Sequence, residues 1–220
     1  MNPKSMIFTG ISQLIYNFVE SHFSMSSHHF VKEKQEPALL ILADASFDEN
    51  LVAQLLEWAP IVFVEDRCLP LINHNPIKID YVIQCSMSDE ELDSWIAFQE
   101  NVQVLKIKLD NKIQETIQFL KSDNHEALSI VGHDCKLEQL ILENEEKLNI
   151  IFYSSSYKVF SKEKHFKKWK EKNSKFEFNA NDIQLTNLIA ESKYYKVIDD
   201  GNVEVNASSK IIIKEYLIER

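Results

Sequence analysis

From Ala38 to Tyr153 the sequence repeats one pattern, a short apolar run followed by an amphipathic stretch, and this alternation restricts the fold more than any other feature. Ala38–Ala43, Ile61–Val64, Tyr81–Ile83, Val102–Ile107, Leu128–Val131 and Asn149–Tyr153 read as strands. Ser46 followed by Glu49, and Ser88 followed by Glu91, have capping-box spacing, in which hydroxyl and carboxylate satisfy the free N–H groups of a helix start. They predict helices near 47–58 and 89–99. Ile113, Ile117 and Leu120 line one face of a third helix, and Leu137, Leu140, Ile141 and Leu148 one face of a fourth. Strand and helix alternate at the length a crossover connection needs, so a parallel sheet covered on both faces is expected, a three-layer α/β/α domain.

After Tyr153 the pattern changes to short strands with polar breaks: Lys158–Phe160, Lys175–Phe178, Ile183–Leu185, Tyr194–Ile198, Val203–Asn206 and Lys210–Leu217. These predict a smaller β-sandwich-like domain. Asp199-Asp200-Gly201-Asn202 predicts a hairpin turn, since glycine accepts the positive φ of tight hairpins. The expected division is an N-terminal extension over 1–24, an α/β domain over 25–155 and a β-rich domain over 156–220. Within 6–23, Ile7, Ile11, Leu14, Ile15 and Phe18 have helical spacing, but Ser12, Gln13 and Asn17 interrupt the apolar run. That predicts an amphipathic helix or a frayed extension ahead of the domain, neither signal peptide nor membrane span.

Thirty-four acidic against twenty-four basic residues give a formal charge of −10, which speaks against the chain as a whole binding nucleic acid. The three cysteines, Cys68, Cys85 and Cys135, stand far apart with no Cys-x-x-Cys pair, so neither a disulfide framework nor a standard zinc motif is implied, and a cytoplasmic location fits. Only three glycines, Gly10, Gly132 and Gly201, are present, which excludes a Walker loop and a dinucleotide fingerprint.

In an open parallel sheet ligands gather at the carboxyl ends of the strands. The residues there are Asp44, Asp66, Gln84 to Ser88, Leu109 to Lys112 and Gly132 to Gln139.

Several short stretches resemble the thiamine pyrophosphokinase family, in particular its Bacteroidetes-type members. They are Ser26-Ser27-His28-His29 through Gln35-Glu36-Pro37-Ala38-Leu39-Leu40, then Gln54-Leu55-Leu56-Glu57-Trp58 and Ile77-Lys78-Ile79-Asp80-Tyr81-Val82-Ile83. Tyr157-Lys158-Val159-Phe160 with Lys167-Lys168-Trp169 looks like the start of the family's β-domain. The resemblance implies the transfer of a pyrophosphoryl group from ATP to thiamine with Mg²⁺, in a homodimer joined through the β-domain.

The catalytic motifs depart from that pattern. Where the family carries Gly-Asp-x-Asp-Ser after the third strand, with two carboxylates on Mg²⁺, this chain has Gln84-Cys85-Ser86-Met87-Ser88. Leu109-Asp110-Asn111-Lys112 stands in place of Asp-x-x-Asp, and Cys135-Lys136-Leu137-Glu138-Gln139 in place of Gly-Arg-x-Asp-His. Lysine does not reproduce the bidentate grip of arginine on phosphate, and cysteine and methionine are soft where Mg²⁺ requires hard oxygen ligands. Leu188 to Tyr194 is too short for the family's Ser-Asn-x thiamine loop. Losing one transition-state-stabilising group commonly costs about 100–1000-fold in rate.

The resulting reading is a family member impaired in catalysis. Its degenerate catalytic positions are Cys85, Met87, Lys112 and Glu138, and the residues placed to hold a nucleotide are Asp66, Ser88, Lys136 and Gln139. No cofactor is expected, Mg²⁺ and ATP entering only for an active enzyme. The expected partners are a second copy and a small ligand, thiamine or a nucleotide, with no membrane or nucleic acid. One alternative is an active enzyme with carboxylates relocated to Asp110, Glu115, Asp134 and Glu138. Another is a non-enzymatic module binding an anionic ligand through the lysine-rich segment 158–175, where lysines interleave with Phe160, Phe166 and Trp169; the family resemblance implies instead a β-domain hairpin with solvated lysines and an aromatic inner face. Cys68, Cys85 and Cys135 with His133 read as small semi-buried residues rather than a metal site, Asp80 as structural, Asp66 as a helix cap, and His28 and His29 as packing residues.

Overall fold

The computed structural model describes residues 36–43, 49–57, 61–72, 77–132 and 148–217. Six strands pair in parallel: β1 (Ala38–Ile41), β2 (Val62–Glu65), β3 (Tyr81–Gln84), β4 (Gln103–Lys106), β5 (Ala127–Val131) and β6 (Asn149–Tyr153), in the order β6-β5-β1-β2-β3-β4. Between them lie α1 (Glu49–Leu56), α2 (Leu69–Ile72) after a 3-10 turn at Asp66–Cys68, α3 (Asp89–Ile96), and α4 (Lys112–Ser122) after a 3-10 turn at Leu109–Asn111. The chain steps outward from β1 to β4 and then returns to set β5 on the other side of β1. The topological switch point, where open sheets of this kind form their crevice, is therefore between β1 and β5.

Apolar side chains leave both faces of these strands, as a doubly covered sheet requires. On one face Leu40, Phe63, Ile83 and Ile130 meet Ile113, Ile117 and Leu120, the stripe predicted for the third helix. On the other, Leu39, Ile41, Val64 and Val82 meet Val52 of α1, Leu69 and Ile72 of α2 and Leu92 of α3. Burying each such aliphatic side chain is worth roughly 1.5–3 kcal/mol. At the switch point Gly132 holds a φ of +151°, and a Cβ there would come within 2.7 Å of Leu42 Cβ. Only glycine lets β5 close against the end of β1.

The remaining strands are β7 (Tyr157–Lys162), β8 (His165–Lys170), β9 (Lys175–Asn179), β10 (Gln184–Thr186), β11 (Leu188–Ala190), β12 (Tyr195–Val197), β13 (Gly201–Asn206) and β14 (Ile211–Tyr216). β7 pairs antiparallel with β6, so the first sheet runs on without a break as β6-β7-β14-β9-β12-β11. A separate antiparallel sheet, β10-β13-β8, covers this extension. Between the two, Phe160, Phe176, Ile211 and Ile213 meet Phe166, Val203 and Val205.

Two predicted hairpins are corrected. β12 and β13 flank Asp199-Asp200-Gly201-Asn202 but pair in different sheets, β12 with β9 and β11, β13 with β8 and β10. Val197 and Val203 thus enter one core from opposite sides. The link is pinned from outside: Asn187 exchanges two hydrogen bonds with the Asp199 backbone, and Asp200 Oδ1 accepts from Lys172 N at 2.6 Å. The lysine-rich segment is likewise no hairpin, for β7 belongs to the long sheet and β8 to the short one. Its aromatic face is also split: Phe160 and Phe166 are buried, while Trp169 is 57% exposed.

Strands β8 and β11 and helix α2 were not anticipated. The fourth predicted helix, the Ser46–Glu49 box and residues 6–23 lie outside the described residues. No helix among the described residues is long and apolar enough to cross a membrane.

Candidate functional site

The carboxyl edge of the parallel sheet is organised by two adjacent residues at the end of β2, Glu65 and Asp66, both fully buried. Val62 to Val64 fill the two apolar layers, and the strand ends by delivering two carboxylates into the interior. Buried carboxylates need partners, and each finds a different set.

Glu65 collects charge. Its Oε2 accepts from Lys112 Nζ at 2.8 Å and Ala43 N at 3.1 Å, and its Oε1 from Arg67 Nε at 2.7 Å. One carboxylate thereby joins the ends of β1 and β2 to the first residue of α4. Burial pushes the Glu65 carboxyl up, but the hydrogen bonds from Lys112, Ala43 and Arg67, with the charge of Lys112, together hold it below its ordinary value. Lys112 is itself almost entirely enclosed, its side chain 9% exposed.

Asp66 collects backbone. Its Oδ2 accepts from the N–H groups of Cys85, Ser86 and Met87 at 2.8, 2.6 and 2.8 Å, and its Oδ1 from Arg67 N at 2.8 Å. It does not cap a helix through its side chain; it shapes the loop after β3 from within. Farther along that loop Gln84 Nε2 donates to Met87 O and Asp89 Oδ1, and Lys106 donates to both oxygens of Asp89. Ser88 Oγ accepts from Glu91 N at 3.2 Å, the helix cap expected from its spacing.

Of the four positions that the resemblance reads as degenerate, Cys85, Met87 and Lys112 are among the described residues. Cys85 follows β3 directly, its thiol pushed up to about 11 by burial first and then by the charges of Asp66 and Glu65. It stays protonated at neutral pH, unlike a nucleophilic or metal-ligating cysteine. Met87 packs into the apolar layer beneath α3. Lys112 is the ion-pair partner of Glu65. Asp110 is exposed on the turn before α4. Lys136, Glu138, Gln139, His133, Asp134 and Cys135 lie outside the described residues. Cys68 is buried, its Sγ 3.7 Å from Ile41 O. Asp80 works at the opposite edge, its Oδ2 accepting from Val62 N.

Sequence reasoning passed over Glu65, although a glutamate closing the run Ile-Val-Phe-Val was a signal that its carboxylate would be buried. Among the described residues no group of three or more His, Cys, Asp or Glu side chains is placed to hold a metal ion. Hard oxygen ligands for Mg²⁺ are not available from Cys85, Met87 or Lys112, and the oxygens of Glu65 and Asp66 are already engaged. The described part of the edge does not fit a divalent cation.

No protein-family model and no curated protein matches the sequence. The structure is similar to solved thiamine pyrophosphokinases. That of Bacillus subtilis superposes with a TM-score of 0.64 at 10% identity, over 84% of this chain and 100% of that one. The thiamin pyrophosphokinase of Candida albicans gives 0.64 at 10% identity, over 84% and 90%. The yeast enzyme gives 0.60 at 8% identity, over 86% and 88%. At these identities the likeness is one of fold.

Proposed function

We propose that this chain is a thiamine pyrophosphokinase-family protein impaired in pyrophosphoryl transfer. The observation that carries this reading is the Glu65–Lys112 pair, an ammonium 2.8 Å from a buried carboxylate at the edge where the family's resemblance calls for carboxylates on Mg²⁺. A lysine held there supplies a fixed positive charge to the protein's own carboxylate and offers nothing to a cation. Phosphoryl-type transfer depends on positioning and on neutralisation of developing charge, largely by the metal. Lys112, Cys85 and Met87 remove ligands for it and leave a braced, charge-neutral edge.

The test is thiamine diphosphate formation from thiamine and Mg-ATP at high protein concentration. No product above the protein-free blank is expected. Product abolished by Asp110→Asn or Glu138→Gln would overturn the reading in favour of an active enzyme with displaced carboxylates. The proposed homodimer is checked by the concentration dependence of sedimentation.

A further inference from the structure

One row of the long sheet sets Ile41, Val131, Tyr153, Lys158, Glu215 and Phe176 side by side in register. Directly paired residues share a face, so this row links the carboxyl ends of β1, β5 and β6 to the interior side of the antiparallel half. The row is level with the edge where open α/β sheets meet their ligands.

From the short sheet, Lys168 and Lys170 reach toward the same row, since they alternate with Phe166, which is buried between the sheets. Lys170 Nζ donates to Glu215 Oε1. Lys158 Nζ lies 3.4 Å from Glu215 Oε2, an ion pair longer than a well-formed hydrogen bond, and Oε2 has no hydrogen-bond partner. Lys168 stands two residues before Lys170 on the same face of β8 and is exposed. The side chains of Glu215, Lys158 and Lys170 are only 7%, 18% and 15% exposed.

Two ammonium groups, Lys158 and Lys170, therefore contact a single carboxylate that can balance one of them, and Lys168 adds a third positive charge on the same side. The surplus is positive, and between Lys158 and Lys170, both largely enclosed, water screens repulsion poorly. Lys168 registers that strain: burial first, and then Lys158 and Lys170, hold its ammonium below its ordinary value, with Glu215 offsetting only part.

We propose that Lys158, Lys168 and Lys170 form a binding site for a small, multiply charged anion of the phosphate class. A compact ligand fits better than a nucleic acid because the neighbouring lysines are already neutralised on the outer face: Lys167 pairs with Glu204 at 3.3 Å and Lys172 with Asp199 at 3.1 Å. No basic stripe runs along β8. Lysine ammoniums on flexible stems suit the point-charge recognition of phosphate oxygens. The site uses none of the Glu65–Lys112 residues and stands or falls independently of the impaired-enzyme reading.

The probe is inorganic pyrophosphate, titrated calorimetrically into the full chain at low ionic strength with EDTA present, so that no divalent cation mediates binding. One saturable site is expected. Lys168→Met weakens it about tenfold or more, the loss of one charge-assisted hydrogen bond. Lys167→Met leaves it unchanged, and Glu215→Gln tightens it by removing the competing carboxylate. Equal losses from Lys167→Met and Lys168→Met, or no saturable heat, overturn the proposal. So does a single-stranded oligonucleotide that binds as tightly as pyrophosphate. A measurement on the unaltered protein guards against misfolded variants: pyrophosphate should slow acetylation of Lys158, Lys168 and Lys170 but not of Lys167, and uniform labelling rates overturn the site.

Discussion

Glu65 and Glu215 are both buried glutamates on strands of one sheet, each with lysine at its oxygens, and they end in opposite electrostatic states. Around Glu65 the accounts nearly balance: Lys112 and Arg67 face one carboxylate, and the neighbouring Asp66 is filled by backbone N–H groups. Around Glu215 two enclosed lysines contact one carboxylate, a third, exposed Lys168, adds its charge, and one carboxylate oxygen lacks a hydrogen bond. Saturated buried networks rigidify, whereas incompletely matched ones leave charge for something else to answer. The parallel edge has become a brace, and the antiparallel half retains the open charge.

If that contrast is right, the largest effect comes from breaking the brace. Lys112→Met leaves Glu65 buried with only Arg67 and the Ala43 N–H and should cost about 3–5 kcal/mol in urea unfolding, as removal of one member of a buried pair does. Asp66→Asn, with its three N–H donors facing a neutral amide, should cost roughly 1.5–3 kcal/mol and speed hydrogen exchange at Cys85, Ser86 and Met87 before the rest of the sheet. Gly132→Ala tests the switch point, where the added Cβ overlaps Leu42; about 1–3 kcal/mol of destabilisation is expected.

Acid sharpens the comparison further. Glu65 and Glu215 both titrate below their ordinary value of 4.5 in the folded chain. For Glu215 burial pushes upward, and Lys170, Lys158 and Lys168 outweigh it. Groups depressed in this way contribute stability that is complete above the unfolded-state value and is lost as pH falls through the folded-state value. Melting temperature should therefore drop below pH 4.5, and Glu65→Gln and Glu215→Gln should each make that drop shallower. The smallest effect belongs to Lys167→Met, whose ion pair with Glu204 is largely exposed and should change stability by under about 1 kcal/mol.

Much of the first half was legible from the chain. The stripe Ile113, Ile117 and Leu120 became the buried face of α4, and Ser88 capped α3 as its spacing foretold. Strands β1 to β6 lie where the apolar runs placed them, most sharply β1, β2 and β5, because burial on both faces writes a continuous signal into a few consecutive residues. The second half was legible as strands but not as pairings. Val197 and Val203 flank a good turn sequence, yet the core between the sheets draws them from opposite sides.

The site divides along the same line. Sequence by itself determined the alternation of strand and helix, the shortage of glycine for a phosphate loop and the presence of Cys85, Met87 and Lys112 at the ends of the apolar runs. The tertiary structure alone decided that Lys112 would neutralise Glu65, 47 residues away, and that Lys170 would reach Glu215, 45 residues away. Periodicity is a property of neighbours along the chain, whereas charge balance belongs to neighbours in space, which only the order and register of the strands bring together.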